Sequence, residues 1–183
     1  NKGLEWVAKT QQRDGHWEAN GGQYPTTMTA LAGLALLMEG STMREGKYAE
    51  NIRRAVDWLV DRSQRNGLIG NPNNFSEAGR YMYGHGFATL FLGELFGMTG
   101  DEAVKDRLQK AVRLIEKCQN PEGGWRYQPA PIDADISVTI CQIMALRAAR
   151  DAGIKVEKDV IDKSIKYVRS CQNADGGFSY MAH

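Results

Sequence analysis

The sequence predicts an all-α fold of stacked helical hairpins, each pairing an inner with an outer helix. Three observations carry this: a phrase that recurs four times at a period near fifty residues, apolar spacing of the helical kind, and no run with strand alternation. The phrase begins on a bulky residue, reaches Gln or Ser five places on, then Gly, then a large apolar residue. It reads WVAKTQQRDGHW from Trp6, WLVDRSQRNGLI from Trp58, LIEKCQNPEGGW from Leu114 and YVRSCQNADGGF from Tyr167. Its Gln or Ser positions, 11, 63, 119 and 172, lie 52, 56 and 53 residues apart, so the chain holds about three and a half units.

Each unit contains two kinds of helix. Residues 29–39 are apolar or small around most of the circumference and read as an inner helix, whereas 48–62 carry a charged face and read as an outer one. The same alternation follows in 87–96 against 101–118. In the latter, Val104, Leu108, Val112 and Ile115 recur at spacings of three and four, with charges opposite. Residues 135–152 are apolar over a wider arc and form the third inner helix, with Asp135 or Ser137 capping its first turn. Such hairpins cover their apolar faces only by stacking side by side, as a single repeat domain over 1–183.

Composition narrows the partners. A chain of 183 residues with 42% hydrophobic content can bury a core. Its 23 basic and 22 acidic residues are spread along the chain, so no basic field exists for nucleic acid. The apolar stretches 29–38 and 87–96 fall short of the roughly 20 residues a membrane-spanning helix needs. Cys118, Cys141 and Cys171 form no CxxC pair and read as small buried hydrophobes. Phosphate-binding loops, nucleophile elbows and His-Glu-x-x-His are absent, so no cofactor is expected.

The sets Gln11–Gly15–Trp17 and Gln119–Gly123–Trp125, with the Phe version Gln172–Gly176–Phe178, resemble the QW motif of squalene and other triterpene cyclases. The second copy, Ser63–Gly67–Ile69, departs from it. The hairpins resemble the α/α-toroid that those cyclases share with the β subunits of protein prenyltransferases, a fold that also carries polysaccharide lyases. The resemblance implies an α/α-toroid, incomplete at about three and a half hairpins, either part of a longer toroid or an open arc. The repeated residues read as scaffold. Gly123 and Gly124 supply left-handed turn geometry, Gln119 satisfies backbone groups at a helix end, and Trp125 wedges between hairpins.

Chemistry is then expected in the segments that do not repeat, at the inner-helix N-termini: 24–29, 81–87 and 132–139. In IDADISVT, Asp133 and Asp135 resemble the first two acids of the cyclases' Asp-x-Asp-Asp motif, which implies Asp135 as the acid. Ile136 stands where the motif's last Asp would be. In RYMYGHGF, aligning the small apolar stretches places His85 opposite Ser137 and Tyr83 opposite Asp135, so His85 is expected to share a cavity with Asp135 as a proton shuttle or polar contact. Tyr81, Tyr83, Phe87 and Trp125 are the expected aromatic wall, with Ser137 beside them. Prenyltransferase-like zinc is not expected. The family's Asp and Cys ligands sit two residues apart, whereas Cys141 follows Asp135 by six, about 240° around a helix.

Two functions remain. One is binding of an apolar, isoprenoid-like ligand at the inner-helix N-termini; in an enzyme this would serve an acid-initiated, squalene-cyclase-like cyclisation. The other is a non-catalytic module holding a peptide, glycan or protein partner on the concave face. A lyase would draw on Arg80 or Arg126.

Overall fold

This computed structural model describes residues 1–182. Its helices are α1 (Lys2–Lys9), α2 (Pro25–Met38), α3 (Ala49–Asp61), α4 (Tyr81–Thr99), α5 (Glu102–Cys118), α6 (Ile136–Asp151) and α7 (Lys158–Ser170), with no strand among the described residues. The inner helices α2, α4 and α6 pack in a row, α4 in the middle. The outer helices α3, α5 and α7 each fold back on the inner helix before them.

Local chemistry sets the ends. Pro25 opens α2 where a missing N–H costs nothing, Asp101 caps α5 by accepting from Ala103 N, and Asp135 caps α6 by accepting from Val138 N. The outer face of α5 stays charged while Val104, Leu108, Val112 and Ile115 are buried. Helix α4 starts at Tyr81 and runs through Gly84 and Gly86. Tertiary packing overrides the helix-weakening tendency of these glycines. A Cβ on Gly86 would lie 2.8 Å from Gln142 Nε2, and one on Gly33 would lie 2.6 Å from the Phe91 ring. Glycine therefore lets the three inner backbones approach.

The repeated phrase is a cross-brace. Gln11 Nε2 donates to Gly15 O in its own turn (2.8 Å) and to Asn51 O in α3 (2.9 Å). Gln119 repeats this with Gly123 O (2.9 Å) and Val160 O in α7 (2.8 Å). The glutamine thus ties its turn to the next outer helix, where the sequence suggested a helix end. The indoles serve the end instead: Trp17 Nε1 donates to Val7 O and Trp125 Nε1 to Ile115 O.

Glycine completes the joint. Gly15, Gly67 and Gly123 have φ of +105°, +94° and +100°, and a Cβ there would meet the carbonyls of Arg54, Lys110 and Lys163 at 2.4, 2.3 and 2.2 Å. Each carbonyl lies four residues before the bulky start of the following phrase, so all three joints share one register. In the fourth copy Gly176 keeps its φ of +91° with no atom near its Cβ position, and Phe178 is 53% exposed. The three cysteines are free and buried, and burial pushes the Cys118 and Cys141 thiols up to about 11.

Candidate functional site

A cavity of about 260 Å³ opens at the N-terminal ends of α2 and α4. Tyr24, Met28, Tyr81, Tyr83 and Phe87 make its wall, and Glu77 and Arg80 are its charged groups. Glu77 is buried and saturated: it accepts from Thr26 N, Thr26 Oγ1 and Asn71 N, which caps α2 and pins the 70–80 loop. Tyr24 adopts φ +51°, an uncommon state for a bulky residue, with its N–H donating to Ser76 Oγ at 2.8 Å. Such a conformation stores about 1–3 kcal/mol, and here it directs an aromatic ring to the cavity.

Behind this wall lies a polar chain. Asp135 is fully buried, and its Oδ1 accepts from Val138 N (2.9 Å) and from Ser137 Oγ (2.7 Å). Ser137 has one proton and gives it to Asp135, so the Tyr83 hydroxyl, 2.7 Å away, must donate to Ser137. Burial first of all raises the Tyr83 phenol, keeping it protonated. Asp135 Oδ2 makes no hydrogen bond, and Arg126 Nε lies 3.8 Å from it. Arg126 also pairs with Asp133, whose carboxyl is held low by the Ala134 N–H and then by this guanidinium.

The third and fourth copies of the phrase reach the same end through a tyrosine two places beyond their last residue. Tyr127 O accepts from Met82 N at the start of α4, and Tyr180 O accepts from Ile136 N at the start of α6. Their hydroxyls meet at 2.6 Å, and the Tyr127 ring lies 5.9 Å from that of Tyr83.

Residues 2–78 and 74–183 each match the prenyltransferase alpha-alpha toroid domain. The chain belongs to this toroid family. Among relatives, it is 28% identical over 128 residues to human lanosterol synthase and 26% identical over 132 residues to lanosterol synthase erg7A of Aspergillus fumigatus. Each alignment covers 68% of this chain but only 17% and 16% of the relative, so the chain spans a small part of their length. Among solved structures, a polysaccharide lyase superposes with a TM-score of 0.67 at 20% identity over 100% of this chain and 56% of its own, which supports the fold alone.

The toroid brings Asp133, Asp135, Ser137 and Tyr83 together, and sets Tyr81, Tyr83 and Phe87 on the cavity wall. It does not bring His85 to Asp135. His85 Nδ1 accepts from Ile69 N (3.0 Å), and Nε2 faces Ala111 O at 3.2 Å, so the ring is a neutral Nε2–H tautomer spanning a turn and α5. Thr29 and Thr139 take the matching N–H of Trp17 and Trp125 in the first and third copies. His85 is therefore the counterpart of Thr139, two places from the alignment expected, and it braces the one complete joint that lacks an indole. Trp125 is 1% exposed with its N–H bound to Ile115 O, placing it in the core and off the cavity wall.

Sequence reasoning placed Tyr24 in a lining segment without giving it a role, and missed Tyr127 and Tyr180. A tyrosine closing both GGWRY and GGFSY was the available signal. Among the described residues no group of three His, Cys, Asp or Glu is placed to hold a metal ion, and no helix is long and apolar enough to cross a membrane.

His85 also predicts acid sensitivity. Burial lowers its pKa from 6.5 to about 4, so the unfolded chain binds more protons between those values. Stability from this group is complete above pH 6.5 and falls as pH drops toward 4, by about 3 kcal/mol. Urea unfolding at pH 7 and pH 4.5, beside an NMR titration of the His85 ring, measures it. A ring that titrates near 6.5 in the folded protein would contradict the assignment.

Proposed function

We propose that this toroid binds an apolar, isoprenoid-like ligand in the aromatic cavity at the N-terminal ends of α2 and α4. The observation that carries the reading is the wall of Tyr24, Met28, Tyr81, Tyr83 and Phe87 around about 260 Å³, close to the lower end of the roughly 300–1,000 Å³ of small-molecule sites. One directed polar group accompanies it: the Tyr83 hydroxyl, whose proton points to Ser137, offers the cavity side an acceptor oxygen. Family membership supports the ligand class.

In the enzymatic form of this reading Asp135 supplies the proton for cyclisation. Its Oδ1 is committed to Ser137 and Val138, which leaves Oδ2 as the oxygen to carry a proton, with Asp133 holding Arg126 close by. Calorimetric titration with farnesol tests binding. Tyr83→Ala and Phe87→Ala should each weaken it about tenfold, the effect of losing a partly buried aromatic contact. Absence of binding to the unmodified protein would sink the reading. Incubation with squalene and shorter polyprenyl compounds tests turnover, which should disappear in Asp135→Asn.

A second reading rests on exposed apolar side chains of the inner helices. Leu31, Met38, Ile140 and Met144 are open, and a groove of about 290 Å³ runs between Leu34, Leu90, Met98 and Met144. On this reading a peptide, glycan or protein partner occupies that face. Peptide and glycan arrays probed with Met98→Glu and Met144→Glu address it, and unchanged profiles count against it.

A further inference from the structure

The two charges lining the aromatic cavity, Glu77 and Arg80, form no ion pair with each other. Its carboxylate, Glu77, is consumed by Thr26 and Asn71, and its charge sits at the start of α2, where helix polarity favours an anion. Its guanidinium, Arg80, has no such use. Among the described residues Arg80 makes no ion pair and no side-chain hydrogen bond; its one partner is the face of Tyr127, 5.6 Å from the ring centroid. The acids nearby are taken by a different arginine, since Arg126 pairs with Asp133 and lies 3.8 Å from Asp135. The first turn of α4, which follows Arg80, carries no acid either.

An exposed arginine without a carboxylate is ordinary on a protein surface. This one lines an aromatic cavity, and its planar donors are free to grip an oxyanion. We propose that the cavity takes an amphiphile with a carboxylate head, the head paired with Arg80 and the apolar part laid against Tyr81, Tyr83 and Phe87. The inference rests on the reading that the cavity holds an apolar ligand, and adds the charge of that ligand. The face of Tyr127, 5.6 Å from the guanidinium, supports the pairing by holding Arg80 in place.

Decanoate and decanol, equal in chain length and different in charge, separate the two claims. In calorimetric titrations at low salt, decanoate should bind about tenfold tighter than decanol, the usual size of one charge-assisted hydrogen bond. The preference should shrink as salt rises, vanish in Arg80→Gln and return in part in Arg80→Lys. Equal affinities for the two compounds, or a preference that survives Arg80→Gln, would overturn the carboxylate assignment and leave the apolar cavity standing. Binding of neither compound would overturn both.

Discussion

Trp125→Ala is expected to lower the unfolding free energy by about 3–5 kcal/mol. The side chain is among the largest that are fully buried, and the residue links α5 to α6. Its indole N–H satisfies Ile115 O near the end of α5, its backbone N–H meets Thr139 Oγ1, and its carbonyl accepts from Asp135 N at the entry to α6. Removing the ring leaves a cavity and a buried carbonyl without its donor. Trp125→Phe keeps most of the volume and should lose only about 1–2 kcal/mol, the cost of the orphaned carbonyl. Phe178→Ala tests the same position of the phrase in the fourth copy, where the ring is half exposed; its loss should stay below about 1 kcal/mol. Urea unfolding of the three variants orders them. Equal losses at positions 125 and 178 would refute the argument that stacking, and not the phrase itself, makes the joint.

Gly123→Ala should destabilise by about 3–4 kcal/mol. A side chain at φ +100° is strained by about 1–3 kcal/mol, and its Cβ would meet Lys163 O at 2.2 Å, an overpacking of similar size against backbone that cannot rotate away. Gly176→Ala separates the two causes. Its φ of +91° imposes the strain while nothing lies within 4 Å of the new Cβ, so its loss should be about 1–2 kcal/mol. If the two alanine variants unfold at the same urea concentration, the close approach of α7 to the turn contributes nothing.

Both predictions concern residues whose role was legible before any coordinates. Trp125 and Gly123 recur at fixed places in each unit, and a residue that repeats with the unit serves what every unit needs, contact with the next. The outer helices were legible for a related reason: Val104, Leu108, Val112 and Ile115 record in their spacing which face of α5 is buried. The alignment of the inner helices was not. Their apolar residues surround the helix, so the pattern carries no phase, and His85 was set two places from its counterpart Thr139.

The candidate site follows the same division. Asp135 as helix cap is a local matter, readable from a short acid before an apolar run. The cavity and the polar chain behind it are not local. On the cavity wall Tyr24 comes from the first hairpin and Tyr83 from the second, while behind it Ser137 and Asp135 come from the third and Tyr180 from the turn that follows α7.

Repeat period, helix type and the joints between units were determined by the sequence, because each depends on residues a few places apart. Tertiary structure alone decided that His85 braces a turn, that Trp125 has no place on the cavity wall, and that Arg80 stands without an ion pair beside that wall. Those facts depend on which units touch and at what height, and the stacking of backbones through Gly33, Gly86 and Gly123 sets that height.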